Sequence, residues 1–203
     1  LLASEHELAL VISRPDSQVG RGRELTPTAV STWATANGIE LYCPNKAADF
    51  DDRLKNFDLV ITIGYGVLLP EYILVQPKHG FINLHFSLLP KLRGAAPAQR
   101  AIIEGLTETG ITVFQLDAGM DTGPLYLQKT VSIDEIQTSG ECLEMMSHLV
   151  PEMLGETLNK IQNLEPPTPQ DNSVSTLAPK IAKSESRINW SDSASSIRNM
   201  VRA

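Results

Sequence analysis

The sequence predicts an α/β protein built on a doubly wound, mostly parallel sheet. Three observations lead there. Short apolar runs alternate with helical patterns along most of the chain. Glycine or proline marks many of the joins, as at Pro27, Gly38, Pro70, Pro90 and Gly105. The 203 residues, 42% hydrophobic and 20% charged, suffice for one α/β domain with a sizeable core and an appendage.

In chain order, residues 8–13 read as a strand, followed by a polar, Gly-rich loop over 14–26. Pro27 opens a helix over 29–37 that Gly38 caps. Residues 39–42 and 59–63 are strands, with a helix over 47–56 between them, and 70–75 is a short helix. The run 81–85 is a buried strand, and 96–104 a helix ended by Gly105. The extended runs 109–117 and 124–132 predict an antiparallel edge. Leu143, Met146, Leu149, Met153, Leu154, Leu158 and Ile161 recur at helical spacing over 139–164, and Pro151 interrupts that helix. From Glu165 the chain turns polar and Pro-rich to about residue 183, which predicts a linker, and a short helix follows over 193–201. The division is thus 1–164, the main α/β domain, and 165–203, a connection to a further domain. The absence of an initiating methionine suggests that the chain starts inside a longer protein.

Composition narrows the function. A net charge of −7 argues against a self-sufficient nucleic-acid binder without excluding one basic loop. No apolar run reaches the roughly 20 residues of a membrane span, and no secretory signal is visible. Cys43 and Cys142 form no C-x-x-C pair and read as reduced cytoplasmic thiols. The four histidines show no metal-ligand spacing.

The chemistry concentrates at residues 80–97. Asn83 and His85 lie two apart on a strand, so both side chains leave one face, at the carboxyl end where open α/β sheets bind ligands. An amide and an imidazole there can stabilise the oxyanion formed when a nucleophile adds to a carbonyl. The loop Ser87, Leu88, Leu89, Pro90 follows directly, offering backbone groups to a ligand and two leucines to cover a flat ring. Asp121, in the Gly-punctuated turn 117–123, could reach back to His85 and favour its charged form, or serve only to make the turn. Arg21 and Arg23 flank Gly22 in the early loop, which on sequence alone reads as a mobile solvated loop. Tyr65, between Gly64 and Gly66, suits a ligand pocket or a packed turn equally. Trp190 is assigned no catalytic role.

In order, Asn83-x-His85-x-Ser87-Leu88-Leu89-Pro90 and Asp121-Thr122-Gly123 resemble the catalytic signature of the folate-dependent formyltransferases. Residues 93–99, 64–70, the early loop around Arg21 and the run from Lys180 to Trp190 resemble the branch of that family acting on methionyl-tRNA. The resemblance implies a Rossmann-like formyltransferase fold. It also implies formyl transfer from 10-formyltetrahydrofolate, as co-substrate and without a metal, to the α-amino group of methionyl initiator tRNA. It casts Asn83, His85 and Asp121 as catalytic, and Ser87, Leu88, Leu89, Pro90 and Tyr65 as folate-binding. Arg21 and Arg23 would bind tRNA. It further implies a monomeric cytoplasmic enzyme acting in translation initiation, away from any membrane. Against the family pattern, the first strand with its Gly-containing turn and the OB-like C-terminal domain are missing. Phe86 stands where many relatives carry Gly or Pro, which would re-line the pocket. The alternatives are a related formyltransferase or formyl-folate hydrolase acting on another amine, and a non-catalytic folate- or tRNA-binding fragment. A hydrolase built on Ser87 is disfavoured, because no G-x-S-x-G elbow surrounds it.

Overall fold

The computed structural model describes residues 1, 4–20, 22–50 and 52–203. Strand β1 (Leu10–Ile12) leads into a hairpin of β2 (Ser17–Val19) and β3 (Glu24–Thr26). The predicted loop therefore carries paired backbone. Its strands are wholly exposed, so no apolar alternation announces them. Helix α1 (Ala29–Ala36) starts at Thr28, whose hydroxyl accepts from the Ser31 amide. Strand β4 (Glu40–Tyr42) then pairs in parallel with β1.

The helix expected over 47–56 is instead two short 3₁₀ turns, Ala47–Asp49 and Asp52–Asn56. Phe50 adopts extended backbone and is buried in an apolar cluster with Leu54, Leu69, Ile73 and Phe81. Burying that ring outweighs continuing a short helix.

Strand β5 (Val60–Ile63), helix α2 (Glu71–Leu74), strand β6 (Phe81–His85), helix α3 (Pro97–Ile103), and strands β7 (Glu108–Gln115) and β8 (Leu125–Ser132) build the main sheet. Its order is β5-β6-β7-β8, with β5–β6 parallel and both later pairings antiparallel. The sheet is therefore mixed, a correction to the mostly parallel expectation. The antiparallel β7–β8 pair is the edge expected from sequence, and its short link can only reverse the chain. The pairing that sequence did not announce is β6 with β7, also antiparallel. Leu10, Ile12 and Tyr42 share one cluster with Val60, although no strand pairing joins β1–β4 to the main sheet among the described residues.

Ile82, Leu84, Ile111 and Val113 point to one face of the main sheet, where helices cover them. The covering residues are Ala98, Ala101 and Ile102 of α3, Cys142 and Met146 of α4 (Ser139–Ser147), and Met153 and Ile161 of α5 (Val150–Gln162). The long predicted helix is thus two, with Pro151 in the first turn of the second, where its missing N–H costs nothing. No helix among the described residues is long and apolar enough to cross a membrane.

Residues 165–203, read from sequence as a connection, lie against this body. Thr168 bridges to Leu125, Leu177 bridges to Arg93, and Ala178 is fully buried. Helix α6 (Ala194–Arg202) packs near α3, with Asn199 buried and Arg202 Nη1 donating to the carbonyls of Asp134 and Gln137. Glu185 accepts two bonds from the Arg100 guanidinium at 2.7 and 3.1 Å.

Those bonds from Arg100, with the Ala182 amide, hold the Glu185 carboxyl below the usual range. A depressed value means stability that is present above the unfolded-state pKa and lost as pH falls through the lowered one. The melting temperature of Glu185→Gln should therefore lie below wild type at neutral pH, with the difference shrinking in acid. Thermal unfolding of both proteins across pH measures this.

Candidate active site

The face of the main sheet opposite the α3 helix carries the polar residues. Alternation along β6 sends Ile82 and Leu84 into the helical core and Asn83 and His85 the other way. His85 is 5% exposed and its ring stands edge-on to Phe114. In the register of β6 with β7, Asn83 faces Phe114 and His85 faces Thr112.

Thr62 Oγ1 lies 2.8 Å from Asn83 Oδ1 and 3.1 Å from the Ile82 carbonyl. Its hydroxyl proton can serve the amide oxygen, and the Asn83 Nδ2 hydrogens have no protein acceptor among the described residues. That leaves a neutral donor pair available to a ligand oxygen. His85 Nε2 is 2.8 Å from the Leu92 carbonyl, which can only accept, so this nitrogen carries hydrogen. Nδ1 lies 3.6 Å from Asp121 Oδ2, an ion-pair separation longer than a hydrogen bond. The same Oδ2 accepts from the Gly94 amide at 2.7 Å.

The two residues that grip the imidazole are both strained. Leu92 and Asp121 are non-glycine residues in the left-handed region, with φ of 59° and 55°. Such backbone costs on the order of 1 kcal/mol or more and persists only where the surroundings enforce it. The Asp117–Gly123 turn also separates two roles that its sequence left open. Asp117 makes the turn, its Oδ1 accepting from the Gly119 amide and the Thr122 hydroxyl, while the Asp121 carboxylate is spent on tertiary contacts.

The loop after His85 is held from below. Ser87 is fully buried and its Oγ donates to the Lys91 carbonyl, so the side chain shapes the loop and cannot act as a nucleophile. The Leu89 amide donates to Thr112 Oγ1, and the Leu89 carbonyl accepts from Gln128 Nε2 at 2.8 Å. The Ser87 carbonyl accepts from the Thr112 hydroxyl and the Pro90 carbonyl from the Thr176 amide. Most of the backbone groups expected to greet a ligand are thus already engaged, although each carbonyl keeps a second lone pair. The Leu89–Pro90 peptide is cis. Leu89 is buried, whereas Leu88 and Pro90 are half-buried, and Leu88 rests against Gly110, where a Cβ would fall 2.5 Å from its Cδ2.

Thr62, Gly110, Thr112 and Gln128 carry no motif that marks them in the sequence as site residues. A glycine inside a strand pattern signals close approach, so Gly110 had a usable sign. The others are ordinary polar strand residues without one. Phe86 is half-buried and packs against the core cluster that contains Ile82 and Leu84. Tyr65 follows β5 at the same end as His85, but its ring stands edge-on to Phe50 in the second apolar cluster, and burial pushes its phenol up. Arg23 is exposed in the turn between β2 and β3, and Arg21 lies outside the described residues. Trp190 is 80% exposed. Among the described residues, no three His, Cys, Asp or Glu side chains group where a metal could be held.

A free amide donor beside an imidazole bonded at Nε2 and faced by a carboxylate at Nδ1, at the end of a sheet strand, is suited to group transfer at a carbonyl carbon. Residues 2–158 match the family described as formyl transferase, and the chain belongs to that family. It is 42% identical over 206 residues to a methionyl-tRNA formyltransferase of Salinispora tropica, spanning 99% of this chain and 67% of that protein. It is 39% identical to the methionyl-tRNA formyltransferase of Syntrophomonas wolfei, again spanning 67% of that protein. Among solved structures, an N-formyltransferase of Helicobacter canadensis in complex with folinic acid and dTDP-3-aminofucose aligns over 97% of this chain and 80% of its own. The TM-score is 0.70 and the identity 18%, a likeness of fold.

Two substitutions test the donor. Asn83→Ala should lower kcat by about 10²–10³, the usual loss of one oxyanion donor. Thr62→Val, which leaves the Asn83 amide free to turn over, should cost about tenfold in kcat with the fold intact by circular dichroism.

Proposed function

We propose that this chain transfers the formyl group of 10-formyltetrahydrofolate to the α-amino group of methionyl initiator tRNA, in translation initiation. The observation that carries the reading is the Asn83–His85–Asp121 geometry on a chain about 40% identical to methionyl-tRNA formyltransferases along nearly its whole length. Folate-bound relatives of the same fold support a formyl-folate as donor.

The chemistry follows from the residues. The donor supplies a carbonyl carbon bearing hydrogen and a nitrogen leaving group, and the methionyl amine attacks it. Asn83 Nδ2 donates to the oxygen as it gains negative charge. The imidazolium of His85 adds a positive charge beside it, fixed through Nε2 by the Leu92 carbonyl and faced at Nδ1 by Asp121. Asp121 takes the proton released by the amine through a water, as a general base. The tetrahedral intermediate then collapses, the bond from the formyl carbon to the folate nitrogen breaks, and that proton is returned to the nitrogen as tetrahydrofolate leaves. Ser87, Leu88, Leu89 and Pro90 provide the wall against which the pterin lies, with Leu88 and Pro90 as the partly open surfaces. Tyr65 stands near the same strand end. Arg21 and Arg23 bind the tRNA acceptor end, with Arg23 exposed in the turn between β2 and β3. The enzyme works as a monomer in the cytoplasm.

The domain division belongs to this reading, with residues 1–164 as the catalytic domain and 165–203 leading towards an OB-like domain. So does the central strand, which would lie between β1 and β5, each paired on one edge only among the described residues.

An acceptor screen tests the function. With 10-formyltetrahydrofolate, formyl-methionyl-tRNA should form, and amino sugar nucleotides and water should yield little product; the reverse ranking refutes the assignment. Charge-neutral replacement of Arg21 and Arg23 should raise KM for tRNA and flatten its salt dependence by about one unit of log–log slope for each phosphate no longer neutralised. An unchanged slope removes the hairpin from tRNA binding.

A further inference from the structure

Both strained residues that hold His85 are themselves held by one stretch of chain far away in sequence. Gln170 uses its whole amide on the Asp121 turn and on Arg93. Its Nε2 donates to the Asp121 carbonyl at 3.0 Å and to the Gly123 carbonyl at 2.6 Å, and its Oε1 accepts from Arg93 Nη2 at 2.6 Å. Thr176 holds the other side. Its Oγ1 accepts from the Leu92 amide at 2.9 Å and its carbonyl from the Arg93 amide at 2.9 Å. Asn172 accepts a second bond from Arg93 Nη2, and Ala178 exchanges backbone bonds with Arg93 and Ala96.

These bonds close a ring. Arg93 binds Gln170, Gln170 binds the Asp121 backbone, and the Asp121 carboxylate accepts from the amide of Gly94, the residue next to Arg93. Gly94 has a φ of 123°, and a Cβ there would fall 2.8 Å from the Ala178 carbonyl, so the stretch lies hard against the loop. Arg93 is 7% exposed, and its Nη2 donates to two neutral amide oxygens. Its guanidinium anchors the stretch without neutralising the Asp121 carboxylate, which stays available to His85. Gln170 and Thr176 lie beyond the residues that match the formyl transferase family.

We propose that residues 170–178 are a positioning strap for the catalytic imidazole, with Gln170 fixing Asp121 and Thr176 fixing Leu92. The inference rests on the assignment of His85 and Asp121 to catalysis. Neither strap residue touches the reacting groups. Each keeps in place a left-handed residue that would otherwise relax, carrying the Leu92 carbonyl off Nε2 or the Asp121 carboxylate away from Nδ1.

The test compares Gln170→Leu, Thr176→Val and Asp121→Asn with wild type in the complete enzyme, by steady-state kinetics and melting temperature. Thr176 is exposed and valine matches its shape, so that variant folds even where Gln170→Leu does not. The strap predicts about a tenfold fall in kcat for each strap variant, as misplacement of a catalytic group gives. KM for tRNA and for formyl-folate should stay within about twofold, and the pH profile of kcat in Gln170→Leu should move towards that of Asp121→Asn. A merely structural role would lower the melting temperature and leave kcat and its pH profile at wild-type values, which overturns the proposal. A rise in KM alone also overturns it. If Asp121→Asn itself retains wild-type kcat, the catalytic assignment has failed. If Asp121→Asn is inactive while both strap variants are normal, the strap alone has failed.

Discussion

Burial of Ile82 and Leu84 fixes the register of β6, and everything at the site depends on that register. Side chains alternate along a strand, so a slip by one residue would send Asn83 and His85 into the helical core and expose two aliphatic side chains. Met146 of α4 and Met153 of α5, packed in one cluster with Ile111 and Val113, make such a slip costly. The same apolar face that stabilises the molecule thereby aims its chemistry. β7 repeats the arrangement: Ile111 and Val113 go to the core, and Gly110, Thr112 and Phe114 share the face of His85.

A second constraint is polar satisfaction. Thr112 is fully buried, and its hydroxyl meets the Ser87 carbonyl, the Leu89 amide and Gln128, so one side chain ties three groups together at the sheet. Buried polar groups left unpaired are costly, which makes such a loop rigid once formed. Rigidity suits a wall for a flat ligand better than a comb of free donors would. Among the described residues the Asn83 amide hydrogens stay unspent, where a carbonyl oxygen would need them.

Two of the four left-handed non-glycine residues among the described ones serve the geometry of the site. The buried left-handed Leu92 and the partly buried Asp121 face the two nitrogens of one imidazole, and the stretch from Gln170 to Ala178 braces both. A segment whose Pro-rich, polar composition suggests a linker can do this because its bonds are made through backbone and amide groups. Such bonds need little apolar area and leave no hydrophobic pattern to read.

Local pattern settled most of the elements. The apolar runs at β1, β4, β5 and β6, the Gly38 and Gly105 helix ends and the break at Pro151 follow from propensity and periodicity, which act within a few residues. The Asn83–His85 pair and the resemblance to formyltransferases were equally legible, because they lie in one contiguous motif plus one turn. The β2–β3 hairpin and the broken 47–56 helix were not, since exposed strands carry no alternation and Phe50 obeys a distant cluster. By itself the sequence determined which chemical groups are present and which share a strand face. Only the tertiary structure decided how they are used: that Thr62 orients Asn83, that Ser87 is spent inside, that Phe86 turns to the core, and that Gln170 reaches Asp121. Most of these join residues many positions apart, and such contacts are set by packing of the whole chain, which no short-range regularity encodes.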